Sequence, residues 1–210
     1  MRLRFILLGL CLLLAACGSA PVEPIQQDDA EGSQSSMTEE QEIWKDPIDR
    51  ADERVTKKPF GIFITTEDSP VQPEKFTGYH TGTDFELLPG EAEQDVVVRA
   101  ACAGPLILKL SVKGYGGVAI QQCTLNGSPV TVLYGHMALS SIQAAFKQDL
   151  SPGEQIGTLG TGFSKETDNE RAHLHFAIHR GAAVELKGYV QTKEELDGWM
   201  DAATVLGLTL

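Results

Sequence analysis

The dipeptide Asn126-Gly127 constrains the fold of this chain more than any other feature. It separates two apolar runs with strand character, residues 118–123 and 130–137. Asparagine and glycine supply the two positive-φ positions of a two-residue hairpin turn, so the runs are expected to pair antiparallel. Two further runs, 96–100 and 106–110, meet at Ala103-Gly104-Pro105, and Gly114-Tyr115-Gly116-Gly117 reads as the next turn. The middle of the chain is therefore expected to be an antiparallel meander. Residues 60–65 read as an earlier strand and 155–159 as a later one. Helical spacing occurs at 140–147 and at 193–205, the second with Thr192 as N-cap and Trp199 facing inward. A chain of 210 residues, 42% hydrophobic, can bury one core of that kind. The expected class is mainly β: an antiparallel sheet or sandwich with short helices and a C-terminal helix.

A later run carries candidate chemistry. In Arg171-Ala172-His173-Leu174-His175-Phe176-Ala177-Ile178 the residues alternate, so His173 and His175 share one strand face while Leu174, Phe176 and Ile178 share the other. The chain has only five histidines, and two of them project side by side here. Two imidazoles backed by a core suit a metal or acid/base site, although a solvated sheet face would look the same in isolation. Gly78-Tyr79-His80-Thr81-Gly82-Thr83-Asp84 adds a second motif. On a straight strand His80 and Asp84 would stand roughly 13 Å apart. They converge only if the chain bends, and Gly82 allows a bend. In Tyr134-Gly135-His136-Met137 a further histidine falls where a strand ends, a usual place for a functional side chain. His179 lies about 13 Å beyond His175 along the strand and is expected on the rim. Glu170-Arg171 reads as a surface pair, with positioning of the strand or of a substrate carboxylate as its functional reading. Tyr79 and Tyr134 read as packing residues beside the motifs.

Taken together, His80-Thr81-Gly82-Thr83-Asp84, Tyr134-Gly135-His136-Met137 and His173-Leu174-His175-Phe176 resemble, in order and type, the signature of the lysostaphin/LytM-type zinc endopeptidases, peptidase family M23. The resemblance covers about residues 60–178. It implies a LytM-like, mostly antiparallel β fold with a duplicated hybrid motif and an active-site groove walled by loops. It also implies one zinc ion held by His80, Asp84 and His175, with His136 and His173 as catalytic residues. Zinc with three protein ligands keeps one position open. One of the two remaining histidines would take a proton from the attacking water; the other would steady the oxyanion and protonate the leaving amine. Which does which stays open. The implied substrates are stem peptides or cross-links of bacterial peptidoglycan, and the implied role is cell-wall remodelling. The alternative is a non-catalytic envelope protein of the same fold that binds the wall or regulates another hydrolase. A zinc carrier would use similar ligands but gives no reason for His136 and His173. The sequence departs from the family at Phe60-Gly61-Ile62-Phe63, which lacks a common arginine, at Met137, where leucine is usual, and at Ala177, where glutamate is common.

The N-terminus reads as a targeting segment. Arg2 and Arg4 precede an apolar run, 5–14, of signal-peptide length and too short to span a bilayer. Leu14-Ala15-Ala16-Cys17-Gly18 resembles the lipobox of bacterial lipoproteins, which implies a signal peptide over 1–16 and a lipid on Cys17. Residues 17–54 are polar and acidic and are expected to form a flexible tether. Within it Thr38-Glu39-Glu40-Gln41 resembles a capping box opening a short helix. The peptidase-type domain is expected over 55–210, with its core at about 60–180. Such a chain would be a membrane-anchored lipoprotein of the cell envelope, working outside the cytoplasm. In that oxidising compartment Cys102 and Cys123 are expected to form a disulfide, with zinc ligation by thiolates as the rival. A formal net charge of −12 argues against nucleic acid as a partner.

Overall fold

The computed structural model describes residues 42–210. The expected signal peptide, Cys17 and the capping box at Thr38 lie outside the described residues. In chain order the strands are β1 (Phe63–Ile64), β2 (Gly78–His80), β3 (Thr83–Glu86), β4 (Val97–Arg99), β5 (Gly104–Val112), β6 (Gly116–Leu125), β7 (Ser128–Met137), β8 (Asp149–Leu150), β9 (Gln155–Thr158), β10 (His173–Arg180), β11 (Tyr189–Val190) and β12 (Trp199–Met200). Two short helices, α1 (Lys193–Leu196) and α2 (Ala202–Leu206), flank β12.

The meander is β5-β6-β7, inside a sheet ordered β12-β10-β7-β6-β5-β8, with β3 also paired to β10. Asn126 and Gly127 join β6 to β7 with φ of 51° and 72°, the two positive angles of a type I′ turn. The Glu42 carboxylate accepts both of their backbone N–H groups.

Strand β4 corrects the expected meander. It pairs with β9 in a separate two-stranded sheet, and the Ala100 N–H continues that pairing by donating to the Glu154 carbonyl at 2.8 Å. Gly104 and Pro105 are therefore not a hairpin turn; they open β5, where they pair with β8. The first strand is only two residues long, because Gly61 takes φ 76° in a turn that precedes it.

Helix expectations also need correction. Between 139 and 147 only Leu139–Ser141 winds, as a single 3-10 turn. The Lys109 ammonium donates to the carbonyls of Ile142 and Ala144 at 3.0 and 2.9 Å, taking acceptors that a continued helix would use. The expected C-terminal helix is split at Gly198, whose carbonyl accepts from Arg180 N–H, so that Trp199 enters β12 opposite His179. Thr192 is the N-cap of α1 as read from sequence, with Glu195 completing a capping box, and Trp199 is buried.

The packed domain begins before residue 55, where the tether was expected to end. Ile48, Ala51 and Arg54 are buried in it. The Arg54 guanidinium donates to both oxygens of Glu91 at 2.6 and 2.7 Å and to the carbonyls of Asp49 and Glu86.

Alternation in β10 sorts its residues between two apolar clusters. Leu174, Phe176 and Ile178 pack with Phe85 and Tyr134 in the larger one, while Ala177 joins Tyr115, Leu133 and Trp199 in the smaller. Burying Phe85 and Phe176 stabilises the fold by about 1.5–3 kcal/mol each. This packing fixes which face of β10 presents its histidines. On the far side of the sheet Cys102 and Cys123 form a disulfide with Cα atoms 6.0 Å apart. Closing a loop of this length stabilises by about 3 kcal/mol in the chain-entropy view.

Candidate metal centre

Three strands bring the motifs together. Register sets His175 of β10 opposite Asp84 of β3 on one side and Gly135 of β7 on the other, and His173 opposite Glu86. β2 ends at His80 and β3 starts at Thr83, so the chain bends between them. Thr81 holds the bend by donating its N–H to the Gly188 carbonyl and its hydroxyl to the Lys187 carbonyl, at 3.0 and 2.7 Å. His80 Nε2 and Asp84 Oδ1 consequently lie 3.2 Å apart.

Gly82 has a different task from the one its sequence context indicates. Its φ is outside the left-handed region; a Cβ there would sit 2.7 Å from both His175 Nε2 and the Phe176 carbonyl oxygen. Glycine is required for close approach. Gly82→Ala should therefore push the His175 ring or the β10 backbone, costing about 1–3 kcal/mol of stability. A thermal melt reads this directly, and a variant that melts with the parent contradicts the assignment.

His136 is placed by a bulge. Val118 pairs with Gly135 and Gly117 with Met137, which leaves His136 as the extra residue on β7, with φ 61°. Such a bulge re-aims a side chain relative to the flat ladder. Its ring centroid lies 4.2 Å from that of His173. Burial, and then the adjacent His173, hold the His136 imidazole well below its ordinary pKa. Its Nδ1 is buried without a hydrogen-bond partner.

His80 Nε2, His175 Nδ1 and Asp84 Oδ1 stand 3.0, 3.1 and 3.2 Å from one another, and all three residues are buried. They form a group able to hold a metal ion. The hydrogen bonds around them test that fit. His80 Nδ1 donates to the Pro59 carbonyl at 3.2 Å, which leaves a lone pair on Nε2. His175 Nε2 meets the Tyr115 hydroxyl at 3.3 Å; with the proton on that nitrogen, Nδ1 is also a lone pair. Two imidazole lone pairs and a carboxylate oxygen then face one point, and a shared cation relieves their repulsion. Burial pushes His175 down to about 4, so the ring is neutral and able to ligate near pH 7. Two imidazoles and a carboxylate are also a donor set that leaves zinc an open fourth position.

The other oxygen of Asp84 is committed elsewhere. Oδ2 accepts from Arg171 at 2.8 Å and lies 3.3 Å from His173 Nε2. Burial opposes the charge on Asp84, but the neighbouring His173 and His80 outweigh it, holding the carboxyl well below the usual range. His173 Nδ1 donates to the Arg171 carbonyl at 2.9 Å, which directs Nε2 into the site.

A cavity of about 280 Å³ opens on this cluster, lined by Asp84, Tyr115, His136, Arg171, His173, His175 and Tyr189 among others. The wall beside His80 is aromatic: Tyr189 lies 5.2 Å from the His80 ring, and Phe76 stacks on Tyr189 at 5.2 Å. Lys58 donates to the Tyr189 hydroxyl at 3.1 Å.

Every histidine and the aspartate of the three motifs meet here. His179 does not; it packs edge-on against Trp199 at 4.9 Å. Tyr134 is a core residue, accepting from Ala101 N–H and donating to Gln121, and Tyr79 packs against Phe63. The tyrosines at the site are Tyr115 and Tyr189, which the motifs do not flag. Arg171 is not a surface residue either: its side chain is 11% exposed and ion-paired with Asp84 and Glu86.

Residues 78–186, just over half of the chain, match the family model described as Peptidase family M23. No curated protein matches the sequence. Among solved structures, CbpA from L. salivarius REN superposes with a TM-score of 0.51 at 18% identity, covering 79% of this chain and 95% of its own. A chain of the SpoIIQ–SpoIIIAH pore forming complex gives 0.51 at 16% identity, covering 79% and 91%. Helicobacter pylori Csd3 gives 0.43 at 19% identity, and the match covers 71% of this chain but only 35% of the Csd3 chain. At these identities the likeness concerns the fold, a LytM-like arrangement of antiparallel sheets. M23 is a family of zinc-dependent peptidases, and this chain belongs to it.

Proposed function

We propose that this protein is a zinc endopeptidase that cleaves stem peptides or cross-links of bacterial peptidoglycan during cell-wall remodelling. The observation that carries the reading is the convergence of His80, Asp84 and His175 to within 3.2 Å beside His136 and His173 at the floor of a groove. Zinc held by those three residues supplies a Lewis acid that polarises a carbonyl and makes water more acidic. The remaining steps belong to side chains. His136, kept neutral by burial, takes the proton of the attacking water as its oxygen bonds to the scissile carbonyl carbon. His173 is the donor: its Nδ1–H is fixed on the Arg171 carbonyl, and its Nε2 forms an ion pair with Asp84 when protonated. From Nε2 it steadies the oxyanion and gives a proton to the amine nitrogen as the C–N bond breaks. The products are a carboxylate and a free amine.

A base works only above its own pKa. Because His136 is held below the ordinary 6.5, the acid limb of kcat/KM is expected at a pH below 6.5. A limb centred at or above 6.5 would contradict His136 as the base.

We place the protein in the cell envelope, cleaved after residue 16 and held to a membrane by lipid on Cys17, with the acidic segment as a spacer. The support is the Arg2/Arg4 region, the apolar run and Leu14-Ala15-Ala16-Cys17-Gly18. The test of the activity uses metal-depleted protein on isolated walls, with zinc restored, and reads new amino groups. Release that depends on zinc supports the peptidase reading. No release from intact, zinc-loaded protein favours a wall-binding protein of the same fold.

A further inference from the structure

Arg171 and Glu86 form an ion pair that the chemistry above does not use. Arg171 lies two residues before β10 and Glu86 ends β3, directly opposite His173. The guanidinium Nε donates to both Glu86 oxygens at 3.1 and 2.9 Å. Its Nη2 donates to Glu86 Oε1 at 2.5 Å and to Asp84 Oδ2 at 2.8 Å. One planar group thus spans two carboxylates, and the side chains of Arg171, Glu86 and Asp84 are 11%, 9% and 2% exposed. A partly buried charge network of this kind is no strong source of stability, because desolvation offsets much of the attraction. Its geometry is specific all the same. Arg171 takes only the outer oxygen of Asp84, and Oδ1 is the oxygen that faces His80 Nε2 and His175 Nδ1.

We propose that Arg171, itself held by Glu86, is a positioning residue that fixes Asp84 as a one-oxygen ligand and sets the orientation of His173. The inference rests on the metal reading given above. Its physical basis is that an unrestrained carboxylate can swing either oxygen toward an ion or toward His173 Nε2, 3.3 Å away. The arginine fork removes that freedom, as hydrogen bonds to a metal-binding carboxylate generally do. The same residue's carbonyl receives the Nδ1 proton of His173, so one residue orders a proposed ligand and a proposed catalytic group.

The test is zinc affinity, measured by competition with a chromogenic chelator, in wild type and in the double variant Arg171→Met/Glu86→Gln. The double variant removes one positive and one negative charge, so the net charge near the ion is unchanged and the readout isolates orientation. Affinity is expected to fall about 10–100-fold. Melting of the metal-free protein is followed alongside and is expected to fall, because Asp84 keeps its charge while losing Arg171, so affinities are compared only between folded preparations. Arg171→Lys is the second variant: it keeps the charge but cannot span two carboxylates, and it should lose about tenfold. If the double variant does not fold, Arg171→Lys decides. Wild-type affinity in the folded variants overturns the positioning role and leaves the metal reading intact. Failure of the wild type to bind zinc overturns the metal reading, and this inference with it.

Discussion

His175→Ala is expected to abolish zinc binding and to lower wall hydrolysis by at least about 10³-fold, a loss of roughly 4 kcal/mol of transition-state stabilisation. The size follows from position. His175 is buried, sits in the middle of three paired strands, and its Nδ1 lies 3.0 Å from His80 Nε2 and 3.1 Å from Asp84 Oδ1. Removing it leaves two of three proposed ligands, and no other imidazole takes its place: His173 points its Nε2 at the outer oxygen of Asp84. The Leu174 and Phe176 packing that holds β10 is untouched, so the variant should still fold. Zinc titration and amine release are measured on the same preparation. Retained hydrolysis without bound zinc would remove the ion from the mechanism.

His136→Ala should separate binding from chemistry. Its ring touches none of the three proposed ligands at hydrogen-bond distance; its nearest ring neighbour is His173, at 4.2 Å. Zinc affinity is therefore expected to stay near wild type while kcat falls about 10²–10⁴-fold, the usual contribution of a general base. The bulge at position 136 belongs to the backbone, and histidine and alanine both carry a Cβ at φ 61°, so the substitution is expected to change backbone strain little. A melting curve monitors that separately. If zinc affinity fell in parallel with kcat, His136 would be a ligand or a structural prop, not the base. Equal activity in wild type and variant would pass the role to His173.

Why the site is partly legible in the sequence can be argued from these residues. His173 and His175 are two apart on a strand, and strand periodicity alone puts them on one face. His80 and Asp84 are legible as a pair only with a bend, and the sequence marks the bend at Gly82; it does not mark that the glycine makes room for His175. The bulge that turns His136 arises from pairing between β6 and β7 and leaves no local trace. Arg171 and Glu86 are 85 residues apart, so their ion pair exists only once β3 lies on β10. Read locally, Glu170-Arg171 is a charged dipeptide like any on a surface. The same contrast holds for the fold. Asn126-Gly127 specifies its own turn, whereas the partner of β4 is chosen by β9, more than fifty residues on by the count of the chain. At the C-terminus helical spacing yields to β pairing, because Trp199 gains a buried place beside His179.

In the proposed function one zinc ion, held by His80, Asp84 and His175, makes this chain a peptidase. Titrating metal-depleted protein with zinc while following amine release from isolated walls tests it most directly. Activity is expected to rise in proportion to added zinc and to level off at one equivalent per chain. Release that is insensitive to zinc, or a site that fills with zinc while no amine is freed, would contradict it.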